Sequence, residues 1–483
     1  MSHFHTKDIC LLVLGTPSFF PPLFWVGYLV IVIIAYTLYN WAMGSFLRFF
    51  ALFVFVFSVY FFGWLFLYRI GVNELLIQSA DSVPATYLPV SILKEGNFNL
   101  NEYYDYFRKK WPDGDDKKAK PYYLAYSTKG DIVSYFPTMN AVLALPFYTP
   151  LLFRDVAPNS ELIPIFGRIS ASFYAALSAV FVYLISLTIT KDKKKSFLLF
   201  FSYAFGTITW GLSSQTLWQH SPSQMLLSLS LYLLIKGLND VRFIKYAGFA
   251  LSLAILVRPT GLIPALFFTL FVFLKYRKEL FKFIGLSLFP LIFQFWYNNE
   301  YFGGILKHSY ESQQFTNWTG KFPEGFFGLW FSPSKGLLLY SPIFIFSLLG
   351  VYFIWSNRTK LEKEVILIFK LLSIVILLFT MMMGRWVHWY GGWGFGYRMA
   401  VDITPFLILF LIPVLQSSLW KKLRYIYFPL LFWSVVVEVF GLVFDFRHWH
   451  TLYDDGPINT GWLWSIKNSE MVYYFRRLLL KFK

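Results

Sequence analysis

Phe61-Phe62-Gly63-Trp64-Leu65-Phe66-Leu67-Tyr68 closes a long apolar run. The chain then turns polar and reads Ser79-Ala80-Asp81-Ser82-Val83-Pro84-Ala85-Thr86-Tyr87-Leu88-Pro89, followed by Ser91-Ile92-Leu93-Lys94-Glu95-Gly96-Asn97-Phe98-Asn99-Leu100. This switch marks the end of a membrane span and the start of a polar interruption that lasts from Asn73 to about Tyr148. Two apolar runs precede it and all the others follow. A carboxylate at position 81 would sit where water meets lipid, the place where transfer from a lipid-borne group to a water-side acceptor needs a base. A solvated loop aspartate is the plainer alternative.

Composition sets the class. Of 483 residues, 57% are hydrophobic, 22% aromatic and 14% charged, whereas soluble domains carry roughly 25% charged residues. Apolar runs near the length of a hydrocarbon core of about 30 Å predict an all-α polytopic membrane protein. The period-2 alternation of a membrane β-barrel is absent. The single cysteine, Cys10, excludes an intrachain disulfide and a thiolate metal cluster. Only Lys7 precedes the first apolar stretch, and Pro17, Pro21 and Pro22 follow it, so an uncleaved anchor is expected.

The runs predict about twelve transmembrane helices, at roughly 22–42, 49–69, 164–190, 197–215, 222–238, 245–257, 260–276, 282–300, 338–355, 364–383, 402–419 and 425–444. The pair around Arg258-Pro259 reads equally as one broken helix. The expected organisation is an additional N-terminal anchor (1–48), a transmembrane catalytic domain (49–444) and a short outer-side tail (445–483). Residues 70–163 form the large first outer loop within that domain. Residues 139–153, too short and proline-broken to span, are expected to lie as a helix on the outer surface.

Short connections rich in lysine and arginine mark the cytoplasmic side. They are Lys191 to Lys195, Arg242 with Lys245, Lys275 to Lys278, Arg358 with Lys360 and Lys363, and Lys421-Lys422 with Arg424. The loop 70–163, the turn at Trp218-Gln219-His220, the loop 301–337, the turn 385–401 and the tail then share the outer side of a cell (inner, plasma) membrane. The net charge of +17 reflects this bias and suits contact with anionic membrane lipids; nothing points to nucleic acid.

Four cations come near the outer boundary: Arg168, Arg258, Lys335 and Arg398. Singly, each could snorkel to headgroups. On the same side as Asp81, they read as a site for a lipid phosphate, since arginine's fork grips phosphate oxygens bidentately. The run Gly391-Gly392-Trp393-Gly394-Phe395-Gly396 either lets backbone approach a ligand or helix closely, or is a plain turn. Tyr87, His220, His388 and Tyr397 are candidates for contact with substrate. Trp386, Trp389 and Tyr390 could stack on a sugar, but interfacial packing explains them better.

With these residues in view, the chain resembles the GT-C glycosyltransferases that use polyprenyl-phosphate sugars, in the broad group of protein O-mannosyltransferases and lipid A aminoarabinose transferases. The resemblance rests on Asp81 through Leu100, on Ser134-Tyr135-Phe136-Pro137 through Pro146-Phe147-Tyr148, and on Gly328 through Leu337 with Tyr340-Ser341-Pro342. Gly394-Phe395-Gly396-Tyr397-Arg398 with Asp402 and Pro405 completes it. It implies a catalytic carboxylate in the first outer loop, at Asp81. Many relatives have an acidic pair where this chain has Asp81-Ser82, which weakens a metal-dependent version. Relatives often read Tyr-Pro-Pro-Gly where this chain has Phe136-Pro137-Thr138-Met139, which puts the acceptor pocket in question.

The chemistry stands beside the resemblance. Displacing a polyprenyl phosphate from an anomeric carbon needs a base for the acceptor hydroxyl and cations for the developing phosphate charge. Asp81 is the candidate base; Arg398 and Lys335, then Arg258 and Arg168, are the candidate phosphate ligands. One base implies inversion, and a covalent route would want a second carboxylate. The acceptor would be a lipid, a glycan or a protein. No cofactor is expected. Asp113-Gly114-Asp115-Asp116 lacks the remaining ligands of a calcium loop, and isolated histidines do not make a zinc site. A lipid or polysaccharide transporter and a lipid-linked polysaccharide polymerase are the competing readings.

Overall fold

The computed structural model describes residues 45–112, 119–309 and 318–481. The expected first span at 22–42, Cys10 and the acidic run Asp113 to Asp116 lie outside the described residues. Helix makes up 71% of the structure. Six stretches among the described residues are long and apolar enough to cross a membrane: Leu47–Arg69, Leu162–Thr190, Arg277–Phe302, Lys363–Gly384, Arg398–Gln416 and Trp420–Val443. Shorter apolar helices accompany them at Met139–Phe153, Pro259–Lys275 and Phe344–Trp355. The architecture is that expected of a helical membrane protein.

In chain order, α1 (Ser45–Arg69) leads into the polar region. That region holds α2 (Val83–Glu95), α3 (Tyr104–Lys110), a two-stranded antiparallel hairpin of β1 (Leu124–Tyr126) and β2 (Ile132–Ser134), and α4 (Met139–Tyr148). The bundle continues through α5 (Leu162–Thr190), α6 (Lys193–Phe205), α7 (His220–Gly237), α8 (Ile244–Val257), α9 (Leu262–Lys275) and α10 (Arg277–Phe302). Next come α11 (Glu324–Phe331), α12 (Leu337–Tyr340), α13 (Phe344–Trp355) and α14 (Lys363–Gly384). The apolar segment from Arg398 divides into a 3₁₀ turn, α15 (Thr404–Leu409) and α16 (Leu411–Gln416); α17 (Trp420–Val443), α18 (Arg447–Tyr453) and α19 (Glu470–Lys481) complete the chain.

Small residues let α5 pack tightly against α6 and α7. Ala171, Ala175, Ala176 and Ala179 are fully buried, and Ser178 Oγ lies 2.8 Å from Tyr203 Oη and 3.1 Å from Ser228 Oγ. Close backbones joined by interhelical hydrogen bonds are what a lipid-embedded bundle uses in place of a hydrophobic drive. α10 turns the other way. Phe281, Leu288, Phe289 and Ile292 are all exposed along it, an apolar face suited to lipid and costly in water.

Two features position the site. Pro259 cannot donate a backbone hydrogen bond and crowds the residue before it, so Arg258 is extended (φ −150°, ψ 116°) between α8 and α9. The helix therefore breaks, leaving a buried arginine at a helix end. The apolar run at 197–215 likewise does not continue as one helix. α6 ends at Phe205, and a wide π turn at Thr209–Ser213 carries the chain to α7. The tail beyond residue 444 is no appendage: Trp449, Glu470 and Tyr474 are fully buried in the common core.

Candidate active site at one end of the bundle

The segment before Asp81 is tied down from three sides. Asn73 Nδ2 donates to Leu442 O at 2.6 Å. Arg168 spreads its guanidinium under the loop, donating to Leu75 O, to Leu76 O at 3.2 Å and to Gln215 Oε1 at 2.9 Å. Its plane also stacks on Trp64 at 4.1 Å. Ser79 caps the short 3₁₀ turn that carries Asp81, and Ser82 Oγ meets Thr216 Oγ1 at 3.1 Å. Asp81 thus projects from a turn fixed against the 206–219 segment.

There it meets Arg398. An Arg398 amino group pairs with Asp81 Oδ2, and Tyr122 donates its hydroxyl to Oδ1 at 2.5 Å. The Asp81 and Arg398 side chains retain 23% and 15% of their exposure, so the pair is reachable from outside. Burial alone would raise the Asp81 carboxyl, but the charge and hydrogen bond of Arg398, with the Tyr122 hydroxyl, hold it below its ordinary 3.8. Burial and the Asp81 charge push the Tyr122 phenol upward, so it stays a donor.

Arg398 is itself clamped. Its guanidinium lies 3.8 Å over the Trp218 ring and donates to Gly391 O at 3.1 Å. Gly391 adopts φ +88°, and a Cβ there would come within 3.0 Å of the Arg398 Cβ; one on Gly394 would come as close to Cδ. The glycine run serves close approach, therefore, but to the arginine's own side chain.

Behind the pair lies a buried relay of charge. Arg398 Nε is 3.5 Å from His220 Nε2. On the other side of the ring, Arg258 Nη1 is 2.7 Å from Nδ1, and Asp402 Oδ1 is 3.5 Å from it. Arg258 also pairs with Asp402 Oδ2, with side chains only 9% and 2% exposed. Asp81, Arg398, His220 and Arg258 are thus brought together, with Asp402 and Tyr122 as further members.

The other sequence candidates sit elsewhere. Lys335 is fully buried: Nζ donates to Gly394 O at 2.5 Å and Glu470 Oε2 at 3.1 Å, and lies 3.3 Å from His450 Nε2. Glu470 also takes the Tyr340 hydroxyl at 2.5 Å, Gly396 N at 3.3 Å and the Tyr474 hydroxyl at 3.0 Å. Lys335 supports the glycine turn from beneath and does not line the mouth. Arg168 likewise spends its donors on carbonyls that aim the loop. Tyr87 packs on Tyr103 and Phe107 and donates to Pro158 O at 3.1 Å. Tyr397 is buried, bonded to Ser341 Oγ and Ile208 N. His388 stays half-buried beside the mouth. Burial draws its imidazole below the ordinary value while the nearby charges of Asp454 and Asp81 oppose that.

Sequence reading assigned no role to Tyr122, Asp402 or Glu470. Asp402 stood in the motif with Arg398, four residues on at the start of an apolar run, and a carboxylate so placed asks for a buried cation. For Glu470, far along an amphipathic tail, no such signal exists. Among the described residues no three His, Cys, Asp or Glu side chains converge as metal ligands. Compared with known proteins, the chain matches no family model and no curated sequence.

Proposed function

We propose that this protein is a glycosyltransferase that moves a sugar from a polyprenyl phosphate to a hydroxyl at the outer side of the cell membrane. In this reading the fold is of the GT-C kind with about twelve spans, and the positive connections lie in the cytoplasm. The observation that carries the proposal is the half-exposed Asp81–Arg398 pair, a carboxylate in contact with an arginine fork; in this reading they serve as base and phosphate ligand at the water-side end of the bundle. In the resting state Arg398 lowers the basicity of Asp81. An arriving phosphate diester competes for the guanidinium, and its negative charge raises the carboxyl, so donor binding switches the base on.

The acceptor O–H then loses its proton to Asp81 as its oxygen bonds to the anomeric carbon. The bond from that carbon to the phosphate oxygen breaks, its electron pair leaving with polyprenyl phosphate under Arg398. Direct displacement inverts the centre, and no metal takes part. The test is mass spectrometry of envelope lipids and glycans from cells with and without the chain, followed by transfer with purified protein. A lost glycan restored by wild type but not by Asp81→Asn supports the reading; unchanged glycans sink it. The helix broken at Arg258, with a buried aspartate against it, is a feature that transporters also use. Flux of a lipid-linked sugar into proteoliposomes without transfer would favour that second reading.

A further inference from the structure

We infer that Trp393 is the floor of a saccharide subsite beside the Asp81–Arg398 pair, where a pyranose ring stacks on the indole and His388 and Asp454 meet its hydroxyls. The turn that clamps Arg398 also carries Trp393, between Gly392 (φ +55°) and Gly394. Neighbours without side chains leave the indole uncovered along the chain, and 49% of the residue is exposed. The ring is held in place all the same. It stacks on the buried His450 imidazole, with centroids 5.7 Å apart and planes at 17°. His450 is locked in turn: Nε2 lies 3.3 Å from Lys335 Nζ and Nδ1 lies 3.1 Å from Asp454 Oδ2. The Trp449 ring meets its edge at 4.9 Å. A half-exposed aromatic ring is thus pinned against a buried, fully engaged one.

Polar groups accompany it. Asp454 keeps 9% of its side chain exposed, and its charge reaches His388, as does that of Asp81. His388 is half-buried with Nδ1 3.2 Å from the Tyr390 hydroxyl, and its Nε2 makes no hydrogen bond among the described residues. Trp296 is the instructive contrast. It is equally exposed, at 49%, but stands on α10 amid exposed Phe289, Ile292 and Phe295, a continuous apolar face that suits lipid. Trp393 is backed instead by Lys335, His450 and Asp454. An aromatic face accompanied by an imidazole and a carboxylate matches a pyranose, which has an apolar C–H face and a rim of hydroxyls. An acyl chain offers only the first, and a phosphate offers neither.

This rests on the glycosyltransferase reading and deepens it by giving the sugar a place, yet binding alone tests it. Purified protein in nanodiscs is titrated with a panel of methyl pyranosides, read by ligand-observed NMR. Wild type is expected to bind at least one of them. Trp393→Leu keeps apolar bulk without the π face and should weaken that binding by about tenfold, the upper end for an aromatic contact. Trp393→Phe should weaken it less, and Trp296→Leu not at all. Transfer kinetics then separate the two sources of a pyranose. A KM raised by Trp393→Leu for the acceptor places the acceptor's sugar on the ring; a KM raised for the polyprenyl-phosphate sugar places the donor's. Wild-type binding by a folded Trp393→Leu overturns the inference and leaves this tryptophan an interfacial anchor. Failure of every pyranoside to bind wild type overturns it too. Saccharide binding that depends on Trp393, with no sugar transfer, would leave the subsite standing and remove the proposed reaction.

Discussion

Two ion pairs in this protein use the same chemistry in opposite surroundings. Asp81–Arg398 keeps 23% and 15% exposure, while Lys335–Glu470 keeps none. At Glu470 three donors converge on one carboxylate oxygen, and a tryptophan face covers the lysine at 4.9 Å. The buried pair is saturated and joins the tail to the glycine turn. The half-open pair has one hydroxyl and one guanidinium, either of which an incoming ligand can replace. Burial with full satisfaction marks a rivet; partial exposure with replaceable partners marks a candidate site.

The comparison breaks most sharply at Asp81. Asp81→Asn is expected to lower sugar transfer by roughly 10²–10⁴-fold, the usual range for a general base, with insertion retained and a smaller loss of thermal stability than at the buried pair. Measured turnover near wild type would remove the distinction between the pairs. Lys335→Ala or Glu470→Ala should do the reverse and act first on stability. Removing one partner of a buried pair costs about 3–5 kcal/mol, to be read as a lower denaturation midpoint in nanodiscs. The double variant Lys335→Met with Glu470→Leu should recover part of it, because neither charge is then left alone.

A third, smaller effect concerns pH. A carboxyl held below 3.8 by Arg398 keeps its charge, and the ion pair its stabilising effect, at all pH above that value; both fade as pH falls through the lowered value. Arg398→Gln removes the main opposing charge and leaves burial to act, so Asp81 should protonate at higher pH. The acid limb of the pH–rate profile is expected to move upward in that variant. An unmoved limb would mean another group controls it. Tyr122→Phe should shift the same limb in the same direction but less, since a neutral hydroxyl replaces no charge. As a control, Asp105→Asn should alter neither activity nor melting, its carboxylate being 76% exposed on a surface pair with Arg108.

The sequence by itself determined the class of the fold. Long apolar runs must become helices where water is absent, because every backbone N–H and C=O has to be satisfied within the segment. Hence the ends of α1, α5, α10, α14 and α17 fall within a few residues of the expected spans, and the break at Arg258-Pro259 follows from proline's missing donor. The sequence also singled out Asp81 and Arg398 as the ionisable groups worth watching. It did not reveal which cations share a site. Arg168, Arg258, Lys335 and Arg398 have much the same signature in one dimension, a positive charge beside an apolar run. Their roles diverge only through partners that lie far off in sequence: Leu75 and Gln215 for Arg168, His220 and Asp402 for Arg258, Glu470 for Lys335, Asp81 for Arg398. A charge is neutralised by whatever reaches it within a few ångströms, and only the tertiary structure decides what that is.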